Sequence, residues 1–88
     1  VLVRLLTNQA SRAEQGGDFE RALEVMERIT TIDPIYSHGW WERARLETQL
    51  DDGAAAKDSL VSMLETTRDQ RERERILSAL HALSATRH

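Results

Sequence analysis

Apolar and charged residues alternate with the period of an α-helix between Gly17 and Pro34. The apolar positions recur every three or four residues: Phe19, Ala22, Leu23, Met26 and Ile29. Asp18 is a good N-cap, because its carboxylate can accept hydrogen bonds from the free backbone N–H groups of a first helical turn. Pro34 cannot donate a helical hydrogen bond, and it disfavours helical backbone at Asp33. The pattern predicts one amphipathic helix that ends at Asp33-Pro34.

A second apolar stripe precedes this segment and predicts a first helix over roughly residues 1–15. Its positions are Leu2, Leu5, Leu6, Gln9, Ala10 and Ala13. Only a few residues separate this helix from the charged one, so we expect the two helices to pack antiparallel.

After Pro34, Ser37 can cap a third helix, with Tyr36 and Trp41 placed as a hydrophobic staple. Neighbouring helical positions point about 100° apart, so Trp40 and Trp41 cannot face the same neighbour. We expect Trp40 in the core. Three alternatives remain for Trp41: it packs under the second helix, joins Tyr36 in the staple, or lies partly exposed in a binding groove.

Two further turn signals divide the rest of the chain into a fourth and a fifth helix. Asp51-Asp52-Gly53 marks the first turn and offers an N-cap. The apolar face of the fourth helix comprises Ala55, Ala56, Leu60, Val61, Met63 and Leu64. Asp69 with Glu72 forms a capping box for the fifth helix. The buried stripe expected there is Ile76, Leu77, Leu80 and Leu83.

The apolar frame partly repeats after 34 residues. Corresponding positions are Ala22 and Ala56, Met26 and Leu60, Ile29 and Met63, and Leu6 and Trp40. This period is typical of tetratricopeptide repeats, whose helix–turn–helix units bury their apolar faces only against neighbours. We therefore predict an all-α fold of tetratricopeptide-like antiparallel hairpins, two pairs plus a closing helix. The expected core is Leu6, Phe19, Leu23, Met26, Trp40, Ala44, Leu60, Leu64, Leu77 and Leu80.

Residues in both pairs carry a resemblance to that family. They are Gly17, Asp18, Phe19, Ala22, Met26 and Pro34 in the first pair, and Trp40, Ala44 and Ala56 in the second. The chain resembles a tetratricopeptide-repeat module over nearly its whole length. The resemblance implies a protein-interaction or scaffolding module without catalysis of its own.

A narrower resemblance concerns the opening, VLVRLLTNQASRAEQGGDFERAL, and the later segment WWERARL. Together they resemble the helical tail of bacterial transglutaminase-like proteins, which carry a papain-like N-terminal domain. This resemblance implies that a catalytic domain precedes Val1 and that its cysteine and histidine lie outside this chain. The alternative function is then a regulatory or substrate-positioning C-terminal segment of such an enzyme.

Composition supports a single helical domain over residues 1–88. The chain has 40% apolar and 31% charged residues, one proline and no cysteine. A net charge of -3 argues against nucleic-acid binding, since that affinity comes mostly from neutralising phosphates. No apolar stretch approaches the roughly 20 residues that span a bilayer. We expect a cytoplasmic location and, because there is no starting methionine, a piece of a longer protein.

No residue pattern indicates catalysis, a metal or a cofactor. His38, His81 and His88 lack the spacing of metal ligands. The serines lack an identifiable base, and the glycines form no phosphate-binding loop. We therefore predict that the chain is not an enzyme and binds no cofactor.

The arginines and glutamates between Arg68 and Arg75 alternate in sign. Arg68 and Glu72, and likewise Asp69 and Arg73, have the spacing of helical ion pairs. This pattern favours a solvated helix face over a nucleic-acid patch.

In tetratricopeptide-like hairpins the first helix of each pair lines the concave side, which resemblance assigns to helices one, three and five. The in-frame positions are Arg4, Thr7, Asn8, Ser11, Trp41, Arg45, Thr48 and Arg75. Arginine forks can hold a carboxylate bidentately, and a tryptophan offers contact area that excludes water. The expected partner is an acidic or C-terminal peptide segment. A solvated inner face without a ligand is the alternative.

The opening helix is apolar over much of its circumference because of Val1, Leu2, Val3 and Leu5. We expect this end either to form a homodimer or to dock on the protein's own N-terminal domain.

Overall fold

A computed structural model describes residues 2–85 of the chain. These residues form five α-helices: α1 (Leu2–Gln15), α2 (Phe19–Ile32), α3 (Ser37–Gln49), α4 (Gly53–Thr66) and α5 (Gln70–Ala85). Each helix packs against the next one in the sequence. The predicted all-α arrangement of two hairpins and a closing helix is confirmed. Val1 and the tail after Ala85, which includes His88, lie outside the described residues. The expectation from the sequence that this tail frays is therefore not tested.

The α1–α2 and α3–α4 turns have the same backbone geometry. A residue in the left-handed conformation follows the first helix of each pair: Gly17 at φ 82° and Asp51 at φ 63°. The next residue, Asp18 or Asp52, donates its N–H to a carbonyl five residues earlier at 2.8 Å. Its carboxylate accepts a hydrogen bond at 3.2 Å from the N–H three residues further on. The predicted cap Asp18 is therefore confirmed, and within the predicted cluster Asp51-Asp52-Gly53 the residue that caps α4 is Asp52.

Two apolar clusters form the interior, and α3 contributes to both. The first contains Leu6, Ala10, Ala22, Val25, Met26, Ile29 and Leu46. The second contains Ala44, Ala56, Leu60, Met63 and Ile76. Because Ala44 and Leu46 lie on opposite sides of α3, this helix joins the two hairpins into one body.

Most of the predicted core residues contact these clusters. Leu6, Met26, Ala44 and Leu60 are buried, as predicted. Those only partly buried are Phe19, Leu23, Trp40, Leu64 and Leu80. The Trp40 ring keeps one edge outside the core, where its indole N–H donates to the Pro34 carbonyl at 2.8 Å.

The prediction for Leu77 is wrong, because this side chain is 52% exposed. Its neighbour Ile76 is fully buried and packs in the second cluster. Adjacent helical residues point about 100° apart, so only one of the two can face α4. Val61, expected on the apolar face of α4, is likewise 44% exposed.

The predicted cap and staple of α3 are also wrong. Tyr36 occupies the N-cap position and makes no side-chain cap bond, while Ser37 is the first residue of the helix. Tyr36 packs on the first cluster, whereas Trp41 packs on the second, so the two rings do not form the staple. Gly39 lies where α3 approaches α2 closely: a Cβ there would stand 3.2 Å from Ile29 Cγ2.

The start of α5 uses only part of the predicted capping box. The Asp69 carboxylate accepts from the Arg71 N–H at 2.9 Å. Glu72 does not reach back to Asp69; its carboxylate accepts from the Thr67 hydroxyl at 3.3 Å. Arg73 donates to the Leu64 carbonyl at 3.1 Å.

The ion pairs expected between Arg68 and Glu72 and between Asp69 and Arg73 are absent from residues 2–85. Glu72 instead accepts a hydrogen bond from Thr67, and Arg73 donates one to the Leu64 carbonyl. Both partners lie at the end of α4 or just after it, within reach of the first turn of α5.

Candidate functional site

A cavity of about 440 Å³ opens between α3 and α5, with α4 beneath it. Its walls on α3 are Trp41, Ala44, Arg45, Thr48 and Gln49; Leu60 of α4 and Ala79, Ala82 and Leu83 of α5 complete it. Leu60 and Ala44 belong to the second cluster, so the floor of the cavity is the core itself. The small alanine side chains leave the space open.

Trp41 and Arg75 form a bridge from α3 to α5 at one end of this cavity. The Arg75 guanidinium carbon lies 3.8 Å from the centroid of the indole ring, which is close enough for a cation–π contact. Trp41 is partly buried against the second cluster, and Arg75 is exposed. Of the three positions considered for Trp41, the structure shows the partly exposed one, in the wall of the groove that this cavity forms between α3 and α5.

Arg45 is already engaged by two carboxylates. Its guanidinium nitrogens donate to both oxygens of Glu14 at 2.6 and 2.7 Å, and to Glu42 at 2.7 and 3.2 Å. The hydrogen bonds that Arg45 donates to Glu14, and then those that it donates to Glu42, raise the pKa of Arg45 further above its ordinary range. The hydrogen bond from Arg45 lowers the pKa of Glu14. Arg45 therefore ties α1 to α3 and carries its own counter-ions.

The other predicted site residues divide between the cavity and α1. Thr48 lines the cavity, but its hydroxyl donates to the Ala44 carbonyl at 2.9 Å. On α1, the Thr7 hydroxyl donates to the Val3 carbonyl at 2.7 Å. The other predicted α1 residues are exposed and do not line the cavity: Arg4, Asn8 and Ser11. The structure thus brings together Trp41, Arg45, Thr48 and Arg75, but not the α1 residues.

A buried polar network on another side of α3 holds this helix in place. Glu47 is 2% exposed and accepts from the Ser59 hydroxyl at 2.5 Å and from Arg43 Nε at 3.2 Å. Arg43 also donates to the Thr30 hydroxyl at 3.2 Å, and its guanidinium lies 5.3 Å from the Trp40 ring centroid. One side-chain network therefore links α2, α3 and α4. Every buried side-chain nitrogen and oxygen in residues 2–85 has a hydrogen-bond partner.

Residues 2–85 contain no group of three or more histidine, aspartate or glutamate side chains that could hold a metal ion. None of the helices described is long and apolar enough to cross a membrane.

Comparison with known proteins identifies the family. The family model for the tetratricopeptide repeat matches residues 9–81. The chain therefore belongs to the tetratricopeptide-repeat family. None of the curated protein sequences matches it significantly.

Two solved structures share the fold. The solution NMR structure of a tetratricopeptide repeat domain protein from Salinibacter ruber superposes with a TM-score of 0.90 at 20% identity, covering 98% of this chain and 90% of that one. A crystal structure of a tetratricopeptide repeat domain protein from the same organism gives a TM-score of 0.83 at 19% identity, covering 97% and 98%. At this identity the likeness shows the fold alone. The resemblance to transglutaminase-like proteins is not tested by these matches and stays a prediction.

Proposed function

We propose that this chain is a protein-binding module that holds a segment of its partner in the cavity between α3 and α5. The observation that carries the proposal is the cavity itself. It is about 440 Å³ in volume, within the range of ligand pockets, and is walled by the predicted site residues Trp41, Arg45 and Thr48. A partly buried tryptophan beside an apolar floor is a typical centre of binding energy at protein interfaces.

The family supports this function, since tetratricopeptide domains generally mediate protein–protein interactions. The chemistry of the cavity supports it as well. Its walls are mainly alanine, leucine and tryptophan, and they hold no pairing of a nucleophile with a base. A module that binds without catalysis is the function that fits these walls best.

The partner segment that we propose carries a carboxylate, because arginines stand at the groove. In this proposal Trp41, Arg45, Thr48 and Arg75 form the centre of the site. The α1 residues extend it along the concave side: Arg4, Thr7, Asn8 and Ser11. The partner is another cytoplasmic protein in a bacterial cell, and the protein's own N-terminal domain is an occupant that the experiment also tests.

Selection from a displayed peptide library on the purified chain tests the cavity. Ala82 lines the cavity and is exposed, so Ala82→Trp fills the groove without entering the core. We expect peptides enriched on the parent chain to lose binding on Ala82→Trp and on Trp41→Ala. The matched control is Ala54→Trp, which adds the same ring at an exposed position on α4 outside the cavity.

Equal enrichment on the parent and on Ala82→Trp would show that the cavity is not the binding site. Loss of binding in Arg28→Ala, on the exposed side of α2, with no loss in Trp41→Ala would place the partner on the opposite surface. If the purified preceding domain of the full-length protein competes with the enriched peptides, that domain is the natural occupant.

The amino-terminal end supports a second, separate contact. Leu2 is 53% exposed and Leu5 is 55% exposed on α1, so about half of this apolar pair remains uncovered. We propose that this end pairs with a second copy of the chain. Sedimentation should show a dimer that Leu2→Ser with Leu5→Ser converts to a monomer, and a monomeric parent at high concentration would contradict this proposal.

A further inference from the structure

The two arginines at the groove differ in what their guanidinium groups contact. Arg45 is held by Glu14 and Glu42 at distances from 2.6 to 3.2 Å. Arg75 contacts the Trp41 ring, and in the part of the chain that the structure describes it has no carboxylate partner. An incoming anion therefore meets a neutralised cation at Arg45 and an uncompensated one at Arg75.

Stacking leaves Arg75 able to bind. The five N–H donors of a guanidinium point outward in its own plane, so a ring against its face does not block them. The contact with Trp41 also restricts the side chain before a ligand arrives, which reduces the entropy lost on binding.

The position of Arg75 separates its ligand group from the cavity. Trp41 lines the cavity, whereas Arg75 does not line it and lies over the face of the indole ring. A carboxylate on Arg75 and an apolar group in the cavity must therefore be about one indole ring apart. The terminal carboxylate of a C-terminal residue is attached to the same Cα as its own side chain, so the two groups are less far apart at their base than two side chains of a helix. Side chains three or four positions apart on a helix have Cβ atoms about 5–6 Å apart and match the two contacts better.

The groove also has the shape that a helix requires. Along α3 its wall runs from Trp41 to Gln49, which is about 12 Å or two helical turns. The groove is lined by small side chains at Ala44, Ala79 and Ala82. The backbone of a helix can therefore approach it closely. An amphipathic helix laid in a groove between two helices is an established mode of peptide recognition.

The groove beside Arg45 has the opposite electrostatic preference. Glu14 and Glu42 together carry two negative charges against the one positive charge of Arg45. A second acidic residue placed next to this cluster would be repelled. The charges thus select a partner with an acid at the Arg75 end and a neutral or basic residue at the other.

We propose that the groove takes an amphipathic helix of a partner protein, with an aliphatic side chain in the cavity and an aspartate or glutamate one turn away on Arg75. This inference rests on the proposed function and adds the chemistry of the partner. It assigns the anion contact to Arg75 rather than to Arg45. It also excludes polyacidic segments and free C-termini as the preferred ligands.

The test uses individual peptides enriched on the parent chain and lost on Ala82→Trp, made by synthesis with an amidated C-terminus. Fluorescence anisotropy gives their affinity, and circular dichroism gives their helicity in the complex. We expect replacement of the acidic residue by its amide to weaken binding about tenfold, since a charge-assisted pair is worth more than about 1.4 kcal/mol. Arg75→Gln should produce the same loss and no further loss with the amide peptide.

Arg71→Gln is the matched control, because Arg71 is exposed one turn earlier on α5 and does not contact Trp41. It should leave the affinity unchanged. Peptides that bind through the cavity but are insensitive to Arg75→Gln would overturn the inference and leave the proposed function standing. So would peptides that require a free C-terminus, stay non-helical, or bind more tightly with a second acid. Absence of any peptide sensitive to Ala82→Trp would instead overturn the proposed function.

Discussion

The two complete hairpins, α1–α2 and α3–α4, share a backbone but differ in their interiors. Shifting the first hairpin by 34 residues maps Ala13 onto Glu47 and Val25 onto Ser59. In the first hairpin this pair packs on an apolar cluster. In the second hairpin the Ser59 hydroxyl donates a buried hydrogen bond of 2.5 Å to the Glu47 carboxylate. The same carboxylate also accepts a hydrogen bond from Arg43. The same turn and helix geometry therefore tolerates either an apolar or a polar interior, provided that each polar group has a partner.

The polar hairpin is also the one that carries the groove. The Glu47 network anchors one side of α3 to α2 and α4, so that Trp41 and Arg45 are presented on the other side. The first hairpin has an apolar anchor and contributes Glu14 to the groove's edge. The comparison suggests that the polar anchor fixes the orientation of α3, and the following predictions test the difference.

The largest effect is expected where the two hairpins are alike. Ile29 and Met63 occupy equivalent positions and are 0% and 2% exposed. Replacement of either by alanine leaves a cavity that the surroundings only partly fill, and should cost roughly 2–5 kcal/mol of unfolding free energy. Urea unfolding followed by circular dichroism measures both variants. A loss under about 1 kcal/mol at only one of them would show that the two hairpins are not packed equally.

The next effect should occur only in the second hairpin. Glu47→Ala leaves the Ser59 hydroxyl buried without an acceptor, and we expect a loss of about 2–3 kcal/mol. Combining Glu47→Ala with Ser59→Val recreates the apolar pair of the first hairpin and should recover part of that loss. A double variant less stable than Glu47→Ala alone would contradict the equivalence of the two interiors.

The turns should differ by a smaller amount. Gly17 and Asp51 both have positive φ, a conformation that costs an ordinary residue roughly 1–2 kcal/mol. Gly17→Ala should therefore destabilise the chain by about 1 kcal/mol, while Asp51→Gly should stabilise it by roughly 0.5 kcal/mol. Thermal unfolding shows whether each variant lowers or raises the Tm relative to the parent chain. A change of Tm in the same direction for both variants would show that the turns are not equivalent.

The smallest effect concerns the ion pair between the hairpins. Arg45 lowers the pKa of Glu14 from its ordinary value of 4.5, so the folded state binds this proton less tightly than the unfolded state does. The stability from this pair is present above pH 4.5 and is lost as the pH falls through the lower folded pKa. Because both side chains are partly exposed, we expect less than about 1 kcal/mol. Arg45→Gln should remove this part of the pH dependence, and an unchanged pH profile would contradict its assignment to Glu14.

Local signals in the sequence predicted the parts of the fold that local forces decide. Asp18 and the cluster Asp51-Asp52-Gly53 were placed correctly as cap signals, because a cap depends on a few adjacent residues. The choice between Ile76 and Leu77 was not local, since both are apolar and only the position of α4 decides which is buried. The prediction of Ser37 as a cap was wrong, because a cap at Ser37 needs a helix that starts at the next residue. In the structure α3 already starts at Ser37.

The candidate site was predictable in outline but not in its charges. Trp41 and Thr48, which the family resemblance and their register assign to the concave side, do line the cavity. That they bind a partner stays a prediction. The bond from Arg45 to Glu14 spans 31 residues and leaves no periodic trace in the sequence. The Glu47–Ser59 pair did leave a signal, because the 34-residue shift changes both partners together from apolar to polar.

The packing of every helix on its sequence neighbour has a consequence for how the chain folds. α1 contacts α2, α2 contacts α3, and so on to α5, so the pairings between helices close only short loops. Chains of such low contact order reach the native state in microseconds to milliseconds. Because α3 lies in the middle of the series and joins both clusters, a nucleus that contains it can grow toward either terminus. Folding that begins at α3 would place the Trp41 and Arg45 wall of the cavity first, and the cavity would be complete only when α5 packs.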